Sequence, residues 1–213
     1  MSRLHLNLAR RQGASLIIVL VMLVVIGLTS AASLRNASSN ERVSHNFRMH
    51  WLAEQYAEAA LRYCQSQLLL ADAQRVSSLQ EAALLSLSDK AAPAWANPQT
   101  WSGTGGAFAS LTSVAQSFVE SPDSAFVPPI LPQCVVERQA LPLMQNGAAV
   151  GSADVYVITA RGFSPDYRES LPGARSGAVV WLQCRLSVLR AAPGDAGTLA
   201  DRVWMRIINP PAT

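Results

Sequence analysis

The chain has 213 residues, half of them hydrophobic, and a formal net charge of +3, which leaves room for one membrane helix and one globular domain of ordinary size. The 17 basic residues are scattered, and without Arg3, Arg10 and Arg11 the remainder balances the 14 acidic residues. A nucleic-acid surface needs a concentrated basic face, so this composition excludes nucleic acid as a partner.

An uncharged run extends from Ala14 to Leu34. As a helix rising about 1.5 Å per residue, it is about 31 Å long, the thickness of the hydrocarbon core of a bilayer. Residues 1–13 before it are basic and contain no acid, which predicts a cytoplasmic amino terminus and a domain on the far side of the membrane. A plain membrane anchor and a secretory signal cleaved near Thr29-Ser30-Ala31 are the alternative interpretations.

Residues 35–70 predict a continuation of this helix, because they contain neither Gly nor Pro. Apolar residues recur every four positions and predict a stripe that packs on the domain: Val43, Phe47, Trp51, then Tyr56, Ala60, Cys64 and Leu68. On the other side, Glu58 and Arg62 have the favourable acid-before-base order. We therefore expect one helix of about 55 residues, its first half transmembrane and its second half amphipathic.

The last third of the chain predicts β-strands. Four runs rich in Val, Ile, Tyr and Trp are separated by turn residues: Cys134–Ala140, Asp154–Gly162, Gly177–Leu189 and Arg202–Asn209. Short links without a crossover helix predict an antiparallel meander, with one face packed on the helix. The fold class is therefore α+β, with residues 71–213 as one globular domain.

Residues 71–132 are less regular. Val76 to Leu87 has helical character, whereas Ala92 to Phe108 is a loop rich in Pro, Gly and Trp. We expect Trp95 and Trp101 to hold this loop on the core rather than to bind a ligand.

The chain contains three cysteines. In an oxidising compartment we expect one disulfide, which leaves one cysteine unpaired. We favour a Cys64–Cys134 disulfide, because Cys64 continues the stripe that must face the sheet. Cys134–Cys184 is the alternative, and three reduced buried thiols are the third possibility. In the first case Cys184 is a small buried hydrophobic residue.

No pattern in the chain predicts catalysis or a cofactor. His5, His45 and His50 accompany neither a nucleophile nor a metal-ligand spacing, and the cysteines form no Cys-x-x-Cys pair. Asp154, Asp166 and Glu169 are too sparse for a calcium loop. We expect no catalytic residues, no metal and no enzyme activity.

The amino terminus resembles that of PilX-type minor pilins of type IV pilus systems. The resemblance lies in RRQGASLIIVLVMLVVIGLTSAAS, the polar step at Glu41-Arg42 and LAEQYAEAALRY. VYVITARGF and AVVWLQC look like the paired late strands of the same proteins. The resemblance covers about 60 residues at the amino terminus, with a shorter match near the carboxy terminus. It implies a pilin-like fold.

The resemblance also implies processing and partners. A membrane prepilin peptidase cuts pilins after a Gly and methylates the new amino terminus, which here means cleavage of Gly13–Ala14 and N-methylation of Ala14. Residues 1–13 would be the leader. The implied partners are this peptidase, the inner membrane, the assembly platform, and other minor and major pilins that contact the amino-terminal helix. The precursor would be a single-pass inner-membrane protein and the product part of the extracellular pilus.

Two positions depart from the pattern of most pilins. Ala14 stands where Phe or Met is usual, and Ile18 stands at the fifth mature position, where major pilins carry Glu. The resemblance implies that this Glu docks onto the positive amino terminus of the subunit already in the fibre. A subunit that starts a fibre has no subunit ahead of it and can do without the Glu. We therefore expect a place at or near the tip, in pilus biogenesis, twitching motility or adhesion. A pseudopilin of a type II secretion system and a periplasmic envelope-scaffold or binding protein that keeps its anchor are the alternatives.

Overall fold

A computed structural model describes residues 12–87, 92–102, 111–119, 127–145, 148–170, 174–208 and 210. The chain divides into two compact units, Met1–Phe47 and Arg48–Thr213. Helix α1, Gln12–Leu69, contributes residues to both units. Residues 1–11 of the predicted leader and the turns at Asn146-Gly147 and Pro172-Gly173 lie outside the described residues, as does Lys90, the single lysine.

Within the first unit, side chains from Ser15 to Phe47 are exposed throughout. Helix α1 continues without interruption through the weaker helix formers Asn36 to Asn40. The predicted helix over residues 14–70 is therefore confirmed to within one residue at its carboxyl end.

The second unit contains a mixed sheet of six strands. Its four long strands follow one another in space as they do in sequence and are antiparallel. They are β3 Gln133–Gln145, β4 Ala148–Phe163, β7 Val179–Arg190 and β8 Gly197–Arg206. The predicted meander is confirmed for these four strands, because period-two alternation and turn residues mark each of them.

The four short strands were not predicted. Strand β1, Leu85–Ser86, pairs parallel with β3, and β2, Leu111–Ser113, pairs antiparallel with the same strand. Strands β5, Arg168–Ser170, and β6, Ala174–Ser176, form a separate hairpin. The expectation of a purely antiparallel sheet is wrong at β1, where a two-residue strand is too short to leave a periodic signal.

The predicted helical character of Val76 to Leu87 is also wrong. The segment forms single 3₁₀ turns at Ser77–Leu79 and Glu81–Ala83, and a further such turn, Asp72–Gln74, precedes it. Extended residues separate the turns, with ψ of 147° at Val76 and 150° at Gln80. This path buries Leu79 completely, and such tertiary contacts override a weak helix propensity. Farther along lie one 3₁₀ turn and two short helices: Ala94–Ala96, α2 Gln99–Ser102 and α3 Gln116–Val119.

The carboxyl half of α1 packs directly on strand β4. Ala53, Ala57 and Ala60 are fully buried, and a Cβ added at Gly162 would overlap the backbone of Ala57 and Ala53. Small residues on both elements therefore let the backbones approach closely.

The predicted stripe on α1 is half correct. Tyr56, Ala60, Cys64 and Leu68 are buried, whereas Val43, Phe47 and Trp51 are 49%, 72% and 59% exposed. The physical reason is the step of five residues from Trp51 to Tyr56, which turns the stripe by about 140° around a helix of 3.6 residues per turn. The two apolar runs therefore lie on different faces of α1.

The opposite face of the sheet carries a small second core of Trp101, Val135 and Trp181. Trp101 donates its indole N–H to the carbonyl of Trp95 at 2.8 Å and meets Trp181 edge to face at 4.5 Å between ring centroids. The expectation that these tryptophans hold the loop on the core is confirmed.

Candidate functional site

The amino-terminal part of α1 presents a bare apolar surface. Side chains from Leu16 to Leu28 that are large and apolar are all between 52% and 73% exposed, and the most apolar 18-residue window has a mean hydropathy of 2.7. By length and composition, this helix can span a membrane.

Two hydroxyl side chains just after this segment are satisfied by the helix itself. Thr29 donates its hydroxyl to the carbonyl of Ile26 at 3.0 Å, and Ser33 donates to that of Thr29 at 2.9 Å. Hydroxyls bonded to the preceding turn need no outside partner, so they are compatible with an apolar surrounding.

The predicted processing site lies at the beginning of α1. Gly13 and Ala14 fall within the helix bounds, and their side chains lie outside the described residues. Ile18, at the expected fifth mature position, is 57% exposed. Residues 1–11 of the predicted leader lie outside the described residues.

Helix α1 is joined covalently to the sheet. Cys64 and Cys134 form a disulfide across 70 residues, with Cα atoms 6.8 Å apart. Strand β4 lies between Cys134 on β3 and Cys184 on β7. Two interstrand steps put these residues about 10 Å apart, which is too far for a disulfide. The register therefore rules out the alternative Cys134–Cys184 bond.

Cys184 is free and buried against α1. The side-chain N–H of Gln65 donates to its sulfur at 3.0 Å. Burial raises the pKa of the Cys184 thiol, although the Gln65 bond and the positive charge of Arg202 act in the opposite direction. A thiol in this setting is a poor nucleophile, which agrees with its expected role as a small buried residue.

A charged network closes the carboxyl end of α1. Arg75, whose side chain is fully buried, pairs with Asp72 at 3.5 Å and Glu81 at 3.3 Å. It also donates to the carbonyls of Leu70 at 3.2 Å and Leu68 at 3.4 Å. The carbonyl of Leu68 belongs to the last turn of the helix and that of Leu70 directly follows it, where no intrahelical donor reaches them. Arg75 therefore acts as a carboxyl cap.

The same network continues onto the sheet through Glu81. This carboxylate accepts from Arg138 at 2.7 Å and from the hydroxyl of Tyr156 at 2.9 Å. Asp154 pairs with Arg138 at 2.8 Å and with Arg190 at 3.5 Å. Three arginines thus meet three acids, so the cluster is electrically balanced and fixes the segment after α1 to β3, β4 and β7. Nothing in the local sequence signals these long-range pairs.

A buried carboxylate holds the loop that contains Trp95 and Trp101. Glu137 on β3 is 1% exposed, and one of its oxygens accepts the backbone N–H of Ala94 at 2.7 Å. Burial raises its pKa, against the lowering effect of the backbone bonds from Ala94 and Trp95. Its other oxygen is buried without a hydrogen-bond partner. Glu137 therefore acts on the structure of the loop.

A cavity of about 470 Å³ lies beside this loop. Arg161 forms part of its wall and donates to the side-chain oxygen of Gln133 and to the carbonyl of Trp101, both at 2.8 Å. The guanidinium also lies 4.9 Å from the Trp101 ring centroid and 5.2 Å from that of Phe163. These wall groups bond one another, and the arrangement stabilises the loop.

The polar residues considered for catalysis or metal binding are dispersed. His45 is exposed, His50 contacts Arg206, and Asp154 belongs to the charged network. Asp166 is exposed in a turn, and the side chain of Glu169 lies outside the described residues. Among the described residues, no group of three or more His, Cys, Asp or Glu side chains is arranged to hold a metal ion.

Neither protein-family models nor curated protein sequences nor solved structures give a match to this chain.

Proposed function

We propose that this protein is a minor pilin of a type IV pilus, a structural subunit that takes part in initiating or assembling the fibre. The observation that carries the proposal is the order of the segments along the chain. Residues 1–13 are basic and contain no acid, the uncharged run begins at Ala14, and helix α1, Gln12–Leu69, is followed by four long antiparallel strands. A plain anchor explains the apolar run and its basic flank but gives no reason for a Gly directly before the uncharged run.

The bare apolar surface of Leu16 to Leu28 supports the proposal physically. In the precursor, lipid covers this surface and holds the protein in the inner membrane, with the amino terminus in the cytoplasm. After cleavage of Gly13–Ala14, the helices of other pilins cover it in the fibre. Exchanging lipid for helix surface nearly conserves apolar burial, so side-chain packing must supply the net gain.

Ile18 supports a position at or near the tip. A carboxylate at this depth is costly in hydrocarbon unless it is paired. A subunit that starts the fibre has no preceding amino terminus to pair with such a group, so an apolar side chain is the favourable choice there. The globular domain then faces outward and contributes to pilus biogenesis, twitching motility or adhesion.

Deletion of the gene tests the proposal. We expect fewer surface pili and reduced twitching motility, both restored by the wild-type gene. A Gly13→Val version should fail to restore them, because a β-branched side chain blocks close approach of the peptidase to the backbone. Ala9→Val, a matched change elsewhere in the leader, should restore them. Unchanged piliation in the deletion strain would contradict the proposal.

Two other functions make different predictions for the same strains. A pseudopilin of a type II secretion system requires the same cleavage, but its deletion abolishes secretion and leaves piliation intact. A periplasmic envelope-scaffold or binding protein keeps residues 1–13 and is unaffected by loss of the prepilin peptidase.

A further inference from the structure

We propose that strand β8 accepts an acidic β-strand from a different polypeptide at its outer edge. Strand β8 is the last strand of the sheet and pairs with β7 alone in the part of the chain that the structure describes. An edge strand presents unpaired backbone groups that can bind an incoming strand.

The ladder identifies the residues that face outward. Ile207 donates its backbone N–H to the carbonyl of Trp181. Hydrogen-bonded and non-hydrogen-bonded pairs alternate in an antiparallel ladder, so the N–H and C=O groups of Arg206, Trp204 and Arg202 point away from β7. Consistently, the N–H of Arg202 bonds the carboxylate of Asp201 rather than the ladder. We call these three residues the β8 edge.

Apolar side chains next to the β8 edge are covered on one side only. Val203 and Met205 are each 50% exposed, Leu199 is 47% exposed and Ile208 is 86% exposed. In a sheet, a residue on an inner strand is flanked by neighbours on both sides. An added strand would supply the missing neighbour and bury the exposed half of Val203 and Met205.

The charges of the β8 edge select the occupant. Arg202 lines an open cleft of about 650 Å³ with Arg62 and Trp204. Its guanidinium lies 5.3 Å from the Trp204 ring centroid and has no hydrogen bond or ion pair with any described residue. Because Arg62 is already paired with Glu58 at 3.2 Å, it is Arg202 that favours a carboxylate on the incoming strand.

A second copy of this chain fits the β8 edge poorly. In antiparallel two-fold pairing, the centre of the pairing decides which residue of the other copy lies opposite Arg202. That residue is Arg202, Trp204, Arg206 or Ile208 when the pairing is centred on Arg202, Val203, Trp204 or Met205. None of these registers supplies a carboxylate, and the arginine pairs add like-charge repulsion. The occupant is therefore a strand from another protein, with acidic residues four positions apart.

Peptide binding to the full-length protein in detergent tests this proposal and does not depend on the fibre role. The probes are fluorescent peptides of sequence TVEVTVEVT and its lysine counterpart TVKVTVKVT, measured by fluorescence anisotropy. We expect the acidic peptide to bind at least about tenfold more tightly, because two charge pairs change sign between the probes. Arg202→Ala should reduce this ratio, and Arg202→Glu should reverse the preference. Arg168→Glu, the same change at an exposed site on another strand, should leave it unchanged.

Methylation of the peptide backbone separates strand addition from simple charge attraction. We expect acidic peptides N-methylated along one edge to lose binding and those methylated along the other edge to retain it. Equal affinity of the two methylated forms, an unchanged preference in Arg202→Glu, or no binding of the acidic peptide at millimolar concentration would overturn the proposal. A homodimer in sedimentation that the peptide dissociates would also overturn it, because the occupant would then be a second copy.

Discussion

The contact between α1 and β4 can be tested by adding one methyl group at Gly162. The new Cβ would overlap the backbone N of Ala57 and the backbone O of Ala53, and would lie 2.8 Å from the backbone carbonyl carbon of Tyr56. Real Cβ atoms do not approach backbone atoms this closely, and no flexible side chain is present to move aside. Helix α1 and strand β4 must separate, although the Cys64–Cys134 disulfide ties the helix to the neighbouring strand β3.

The size of the effect follows from overpacking. Extra methyl groups in a packed core cost about 1–3 kcal/mol, and overlap with the backbone of two elements places Gly162→Ala at the upper end, about 3 kcal/mol. The measurement is urea unfolding of the full chain in detergent, followed by tryptophan fluorescence. Gly27→Ala is the matched control, because a Cβ at Gly27 meets nothing within 4 Å. If the free energy of unfolding of Gly162→Ala lies within about 0.5 kcal/mol of the wild-type value, α1 and β4 do not make the direct backbone contact described here.

Three further predictions concern the second unit. Replacing Cys64 and Cys134 together by Ser should lower the free energy of unfolding by about 4 kcal/mol, since the bond closes a loop of 70 residues; an unchanged urea midpoint would contradict this. Glu81→Ala should lower the free energy of unfolding by about 3 kcal/mol, because it removes a partner of the buried Arg75. Glu58→Ala breaks only the exposed pair with Arg62 and should lower it by less than about 0.5 kcal/mol. Equal urea midpoints for these two variants would refute the buried network. Because the pKa of Glu137 is raised, the folded state binds a proton on this carboxyl group more tightly than the unfolded state does. The stability that the protonated Glu137 contributes is therefore lost as pH rises above its ordinary pKa of 4.5. Relative to wild type, Glu137→Gln should therefore become more stable as pH increases in thermal unfolding, and a pH-independent difference would argue against a buried carboxylate.

Elements with a repeating pattern were predictable from the sequence. Helix α1 was predicted because residues 35–70 contain no helix breaker, and its carboxyl end differs by one residue. Strands β3, β4, β7 and β8 were predicted from alternating apolar residues and the turns between them. Trp101 was correctly predicted to pack on the core, because a loop rich in Pro and Gly cannot bury a large aromatic ring within itself.

The remaining features depend on contacts that no local window contains. Glu81 meets Arg138 across 57 residues and Tyr156 across 75, so the charged network could not be read from spacing. Strand β1 exists because β3 offers it an edge. The exposure of Trp51, in contrast, could have been predicted, because the five-residue step to Tyr56 is visible in the sequence and implies a change of face on the helix.

The mass of the mature protein shows whether the leader is removed and the pilus assignment holds. The native chain should be purified from its own membranes or fibres and its amino-terminal peptide analysed by mass spectrometry. We expect the protein to begin at Ala14 and to carry an N-methyl group there. A protein that still contains residues 1–13, or that begins beyond Ala14, would contradict the proposed processing and the pilus assignment with it.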